Sequence, residues 1–320
     1  MKNYVLIFCL LLLVGCEDDN KIEAEIAQIP MDVKITRFDK IFAEAELKDL
    51  PRLKKEYSLF FPKQVPDSIW QQRLTDTIQE ELDVETAKVF PDDTKLNEVI
   101  HPLFQHFKYY FPEFKSPTIY TVTSDVDYQN KVIAADSLLV ISIDNYLGAD
   151  HFFYEGISGF ISQNLKPSRL GPDIADVYAR QLISVPQNRT LLAQMIYYGK
   201  ALYLTELVSV SSTEAEVIGY TEDQMLWTKE NEIYMWRYFV EKELLYSTDD
   251  DLPGRFLNPA PFSKFYLEID NESPGRLGRY IGWQIVRAYM DKNPDVTIAE
   301  LLKKPANEIY IQSKYKPKKD

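Results

Sequence analysis

His101 and His106 are the closest pair of side chains in the chain that could share a metal ion, and their spacing works against it. A metallopeptidase helix presents two histidines four residues apart, with a glutamate between them as the base. Five residues at 3.6 per turn set His101 and His106 about 140° apart around a helix, so two independent histidines are expected. His151 stands beside Asp150 with no second ligand close in sequence. Gly156-Ile157-Ser158-Gly159 lacks the G-x-S-x-G spacing of a hydrolase nucleophile elbow. Asp125 and Asp127 have calcium-loop spacing, but the segment Ser124–Asn130 has neither the central glycine nor the closing glutamate, so a solvated hairpin turn is expected. Asp173, Asp176 and Arg180 put acids and a cation within two helical turns, and Asp176 to Arg180 is the i,i+4 spacing of an ion pair along a helix face. Asp249–Asp251 reads as an acidic stretch behind a helix, and the glycines are scattered, with no phosphate cradle. No catalytic residue, metal ligand or cofactor site is therefore assigned.

The N-terminus carries a different chemistry. Met1-Lys2-Asn3 is followed by the apolar run Tyr4–Val14 and then by Gly15-Cys16. A cation ahead of so short an apolar run marks a secretory signal rather than an ordinary membrane span. Leu13-Val14-Gly15-Cys16 resembles the bacterial lipobox, in which the cysteine is acylated and becomes the new N-terminus. Cys16 is the expected lipidation site, with residues 1–15 removed, residues 16–30 a lipidated tether, and residues 31–320 a single α+β domain. Cys9 leaves with the signal and Cys16 is used by lipid, so no thiol remains for a disulfide, and a core of this size needs none. More than one acyl chain, palmitate included, is expected to hold the protein on the membrane. Glu17-Asp18-Asp19 directly behind the lipid is either a solvated tether or a sorting signal.

The elements that position these residues follow from periodicity. The 320 residues are 45% hydrophobic and 13% aromatic, with 21 tyrosines, and carry a net charge of −13. That balance fits a folded acidic protein with a tyrosine-rich core or groove and argues against a nucleic-acid partner, whose phosphates call for lysine and arginine. Val33–Phe38 alternates as a strand, with helices near Ala43–Phe60, Ser68–Leu82 and Asn97–Tyr110. Thr118–Thr123, Lys131–Ala134 and Leu138–Ile143 are short β-branched runs. Helices follow over Pro172–Ile183 and Thr190–Val208. A capping box at Thr221–Gln224 opens a helix to about Leu245 with the stripe Ile233, Trp236, Val240 and Leu244. Leu277–Met290 is helical, and Thr297 caps a last short helix. In Gly278-Arg279-Tyr280-Ile281-Gly282 two glycines one turn apart suit a close helix contact, or a groove for a partner. The pattern predicts an α+β fold, a small central sheet with a mainly helical C-terminal half.

Taken in order along the chain, Leu13–Cys16, Val33–Lys40, Ser142–Gly148 and Pro274–Val286 resemble the gliding-motility lipoprotein family GldB of Bacteroidota. The resemblance implies a cell-envelope lipoprotein needed by the gliding machinery, with other gliding proteins as partners and its membrane and leaflet open. More remotely, the layout resembles predicted zinc peptidases of the gluzin type, a degenerate zincin-like architecture. The helix that would carry H-E-x-x-H is Pro172–Ile183, which has no histidine, and Tyr198-Gly199-Lys200 stands where a Glu-Gly ligand turn belongs. The resemblance thus implies a non-catalytic interaction or scaffold protein, a pseudopeptidase whose old cleft could hold an extended chain. Tyr197, Tyr198 and Trp283 either line that cleft or belong to aromatic core. The alternative is a hydrolase with an unrecognised, non-HExxH site, using Glu155 or Asp173.

Overall fold

A computed structural model describes residues 21–317, apart from 136, 187 and 269. The signal segment, Cys16 and Glu17–Asp19 lie outside the described residues. Lys34–Arg37 (β1), Thr118–Val122 (β2), Val132–Ala135 (β3) and Leu138–Ser142 (β4) form one sheet in the order β1-β2-β4-β3. β1, β2 and β4 run parallel, and β3 pairs antiparallel with β4. The register aligns Ile35 with Ile119 and Leu139, and Arg37 with Thr121 and Ile141. Alternate side chains point to opposite faces. Ile119, Leu139 and Ile141 are wholly buried on one face, and Tyr120 and Val122 pack on the other against a cluster around Phe38, Phe42, Leu53 and Phe61.

Residues 21–26 are helical (α1), and the tether expected over 16–30 is held against the protein from there on. Ile26 is buried, Gln105 Nε2 donates to the carbonyls of Ala27 and Ile29, and Glu23 faces His106. The helix expected near 43–60 is instead α2 (Phe38–Ala43) and α3 (Leu50–Glu56), the latter restarted by Pro51 in its first turn. The one expected near 68–82 is α4 (Asp67–Arg73) and α5 (Thr77–Val89), divided where the Asp76 carboxylate caps the Ile78 and Gln79 amides. α6 (Thr94–Tyr110) completes the N-terminal half.

The second half contains α7 (Gly159–Ser162), α8 (Leu170–Leu182), α9 (Leu191–Val208), α10 (Glu214–Ile218), α11 (Glu222–Glu230), α12 (Glu232–Glu241), α13 (Leu252–Phe256), α14 (Leu277–Lys292), α15 (Ile298–Lys303) and α16 (Ala306–Ser313). The Thr221–Gln224 capping box is present, but the helix it opens ends at Glu230 and α12 restarts after Asn231. That break re-phases the expected stripe: Met235 and Phe239 are buried, whereas Val240 is 47% exposed. Thr297 and Glu300 box the start of α15, and α16 is an additional helix behind Pro305.

α9 is apolar on every side because it joins two cores. Leu191, Met195 and Ile196 face the C-terminal helices, while Ala201, Leu204 and Val208 face the layer of α6, α8 and the sheet. α14 crosses α9 at two glycines. A Cβ on Gly282 would lie 1.9 Å from the Met195 carbonyl oxygen, and one on Gly199 2.3 Å from the Gly282 carbonyl. The expected close contact at Gly282 is therefore backbone on backbone, and Gly278 packs on Phe256 and Leu257.

Candidate functional site

The groups that could do chemistry from sequence fall in separate places. His106 is buried, with Nδ1 2.8 Å from the Pro102 carbonyl and Nε2 3.1 Å from Glu23. His151 reaches Glu85 at 3.3 Å and stacks on Phe153. Ser158 and Glu155 are exposed around α7. The Asp125–Asp127 turn follows β2. Asp125 pairs with Arg73 at 2.9 Å, and Asp127 accepts from the Gln129 amide and the Asn130 side chain, so neither carboxylate turns inward to a common ion. Beneath it, buried Asp144 accepts from the Ser124 and Val126 amides at 3.0 and 2.7 Å, holding Asp125 and Val126 at φ of 56° and 57°. A left-handed valine is strained, and the carboxylate is what sustains it. Among the described residues no three His, Cys, Asp or Glu side chains gather where they could hold a metal ion.

Asp173 sits in the first turn of α8 between two cations. Arg169 Nη2 reaches Oδ1 at 2.6 Å, Lys131 pairs with Oδ2, and the Tyr146 hydroxyl donates to Oδ2 at 3.2 Å. Burial works against its charge, but Arg169 and Lys131 outweigh burial and hold the carboxyl below the usual carboxylate range. A carboxylate so engaged positions its neighbours and has no proton to trade near neutral pH. Asp176 pairs with Arg180 at 2.7 Å along the same helix, the i,i+4 contact expected.

Beside this cluster the α8–α9–α14 junction presents arginines that sequence spacing did not single out. Arg276 precedes α14 at a φ of 65°, donates from Nη2 to the Gly219 carbonyl at 2.9 Å, and lies 5.6 Å over the Tyr220 ring. Tyr220 is itself anchored by donating to the Gly275 carbonyl at 2.6 Å. Arg279, one turn on, lies 3.9 Å over the Tyr198 ring and donates through Nε to the Leu257 carbonyl. Arg180 lies 5.6 Å over the same ring. Burial pushes the pKa of both Arg276 and Arg279 below the ordinary guanidinium range, and Arg276 adds to the effect on Arg279. Tyr198 and Tyr197 are half-buried and edge-packed on each other, whereas Trp283 is fully buried and donates to Glu206, which makes it core. Lys200, two residues past Tyr198, is buried and donates to the Leu302 and Lys304 carbonyls. The one sequence signal for Arg276 and Arg279 is their position: two cations at the start of a helix, where the macrodipole favours anions.

The fold is thus α+β, with a small mixed sheet and a large helical half, and two guanidinium groups lie over the Tyr198 ring. The sequence model of the gliding motility protein GldB family matches residues 19–317, nearly the whole chain, and the chain belongs to that family. No curated protein and no solved structure matches it. The family takes part in gliding motility and is named as a lipoprotein family. No helix among the described residues is long and apolar enough to cross a membrane.

Proposed function

We propose that this chain is a non-catalytic, lipid-anchored component of the gliding machinery that holds a partner at the α8–α9–α14 junction. The observation that carries this reading is the state of the junction's ionisable groups: Asp173 is balanced by two cations and Asp176 by Arg180, while arginines cover Tyr198. Such groups recognise and orient; they form no nucleophile–base pair. α8 and α9 are also where the gluzin-like layout would put a catalytic centre, so the scaffold is read as a peptidase-like one turned to binding, with fold and function separable. Lipid on Cys16 then attaches a single folded domain to the cell envelope.

A photo-crosslinking amino acid in place of half-buried Tyr197, expressed in gliding cells, tests the reading. Capture of another gliding-machinery protein is expected. Absence of any capture at normal protein abundance, or peptide hydrolysis by the purified protein that Asp173→Asn abolishes, overturns it.

A further inference from the structure

We propose that Arg276 and Arg279 form a carboxylate-recognition site for an acidic segment of a partner protein. The inference rests on the partner-binding reading above and specifies the chemistry of that partner. Arg276 and Arg279 open the 16-residue α14, where the helix macrodipole opposes positive charge, and Arg276 does so in the left-handed region that favours glycine. Strain and charge placed against local preference mark a site whose compensation comes from elsewhere. Neither arginine has a carboxylate within ion-pair distance among the described residues, while their neighbours Lys131, Arg169 and Arg180 are each paired to Asp173 or Asp176. Five cations therefore meet two carboxylates in a chain whose net charge is −13. Arg169 Nε is also buried without a hydrogen-bond partner.

Both guanidinium groups are held before any ligand arrives. Tyr220 and the Gly219 carbonyl fix Arg276; Tyr198 and the Leu257 carbonyl fix Arg279. A planar guanidinium fork held over an aromatic ring matches a carboxylate bidentately, and little side-chain entropy is left to lose on binding. Both residues are partly accessible to solvent.

The mature lipidated protein in detergent at low ionic strength, titrated with a short fluorescent oligoglutamate peptide, tests the site. Saturable binding is expected, weakened about tenfold or more in Arg276→Gln/Arg279→Gln and resistant to equimolar inorganic phosphate. Equal binding by parent and variant, or displacement by phosphate alone, overturns the assignment. A second measurement uses the unaltered protein and so does not depend on the variant folding. Oligoglutamate should slow phenylglyoxal modification of Arg279 while leaving exposed Arg237 unchanged, and equal labelling of Arg279 with and without peptide overturns the proposal. Capture of a partner from Tyr197 together with failure of peptide protection rejects the carboxylate site alone; failure of capture rejects the reading beneath it.

Discussion

Gly282→Ala adds a single methyl group, yet it should destabilise the protein measurably. The new Cβ would lie 1.9 Å from the Met195 carbonyl oxygen and 2.4 Å from its carbonyl carbon. Ordinary contact begins near 3.4 Å, so α14 and α9 must separate by about 1.5 Å at their crossing. Neither Met195 atom belongs to a flexible side chain that could swing away. Separation loosens the fully buried layer of Leu192, Ile196, Ile281, Trp283 and Ile285. Overpacking of this kind costs about 1–3 kcal/mol, and a backbone obstacle belongs at the upper end. Alanine's better helix propensity returns about 1 kcal/mol, leaving a net loss of about 2 kcal/mol. Urea unfolding followed by far-ultraviolet circular dichroism reads the loss as a lower midpoint at unchanged slope. Gly254→Ala is the control, because its Cβ would meet nothing within 4 Å. A Gly282→Ala variant as stable as the parent would refute the close-packing argument.

Three further outcomes follow from buried charge and from the N-terminus. Burial raises Asp83 to a pKa of about 7 against Gln79's hydrogen bond, so the folded state keeps a proton that the unfolded chain releases near pH 4, and stability drains away as pH rises between the two values. Because the group is partly exposed, Asp83→Asn should stabilise by about 1–2 kcal/mol at pH 8 and not at all at pH 3.5, read from paired denaturation curves. Burial lowers Lys200 to about 8, so the parent gains stability as pH rises from 8 towards 10.4, and Lys200→Met, lacking that gain, should fall behind it by about 2 kcal/mol more at pH 10 than at pH 7. Cys16→Ala should leave an unprocessed precursor with the apolar run attached; normal maturation and membrane retention of that variant would contradict lipidation at Cys16.

The elements legible in sequence are those decided locally. β-branched runs marked β2, β3 and β4, and the capping boxes at Thr221 and Thr297 declared themselves because a cap is a contact between a side chain and a backbone three residues away. The break at Asn231 was hidden because no glycine or proline announces it. The site was least legible because its contacts are distant along the chain. Asp173 is met by Lys131 from 42 residues away, and Glu23 meets His106 from 83 residues away. Arg276 depends on Gly219 and Tyr220, more than 50 residues away in the chain and brought to it only by the tertiary fold. Glycine spacing drew attention to Gly278 and Gly282, while the arginines between and before them broke a helix rule whose meaning appears once their neighbours are known.

The most direct measurement of the central claim is made in gliding cells that carry Arg276→Gln/Arg279→Gln together with the photo-crosslinker at position 197. Protein abundance and urea midpoint are first matched to the parent. Loss of the partner crosslink and loss of gliding, together and without change in abundance, are what a binding junction predicts. Normal gliding with the crosslink intact would contradict it.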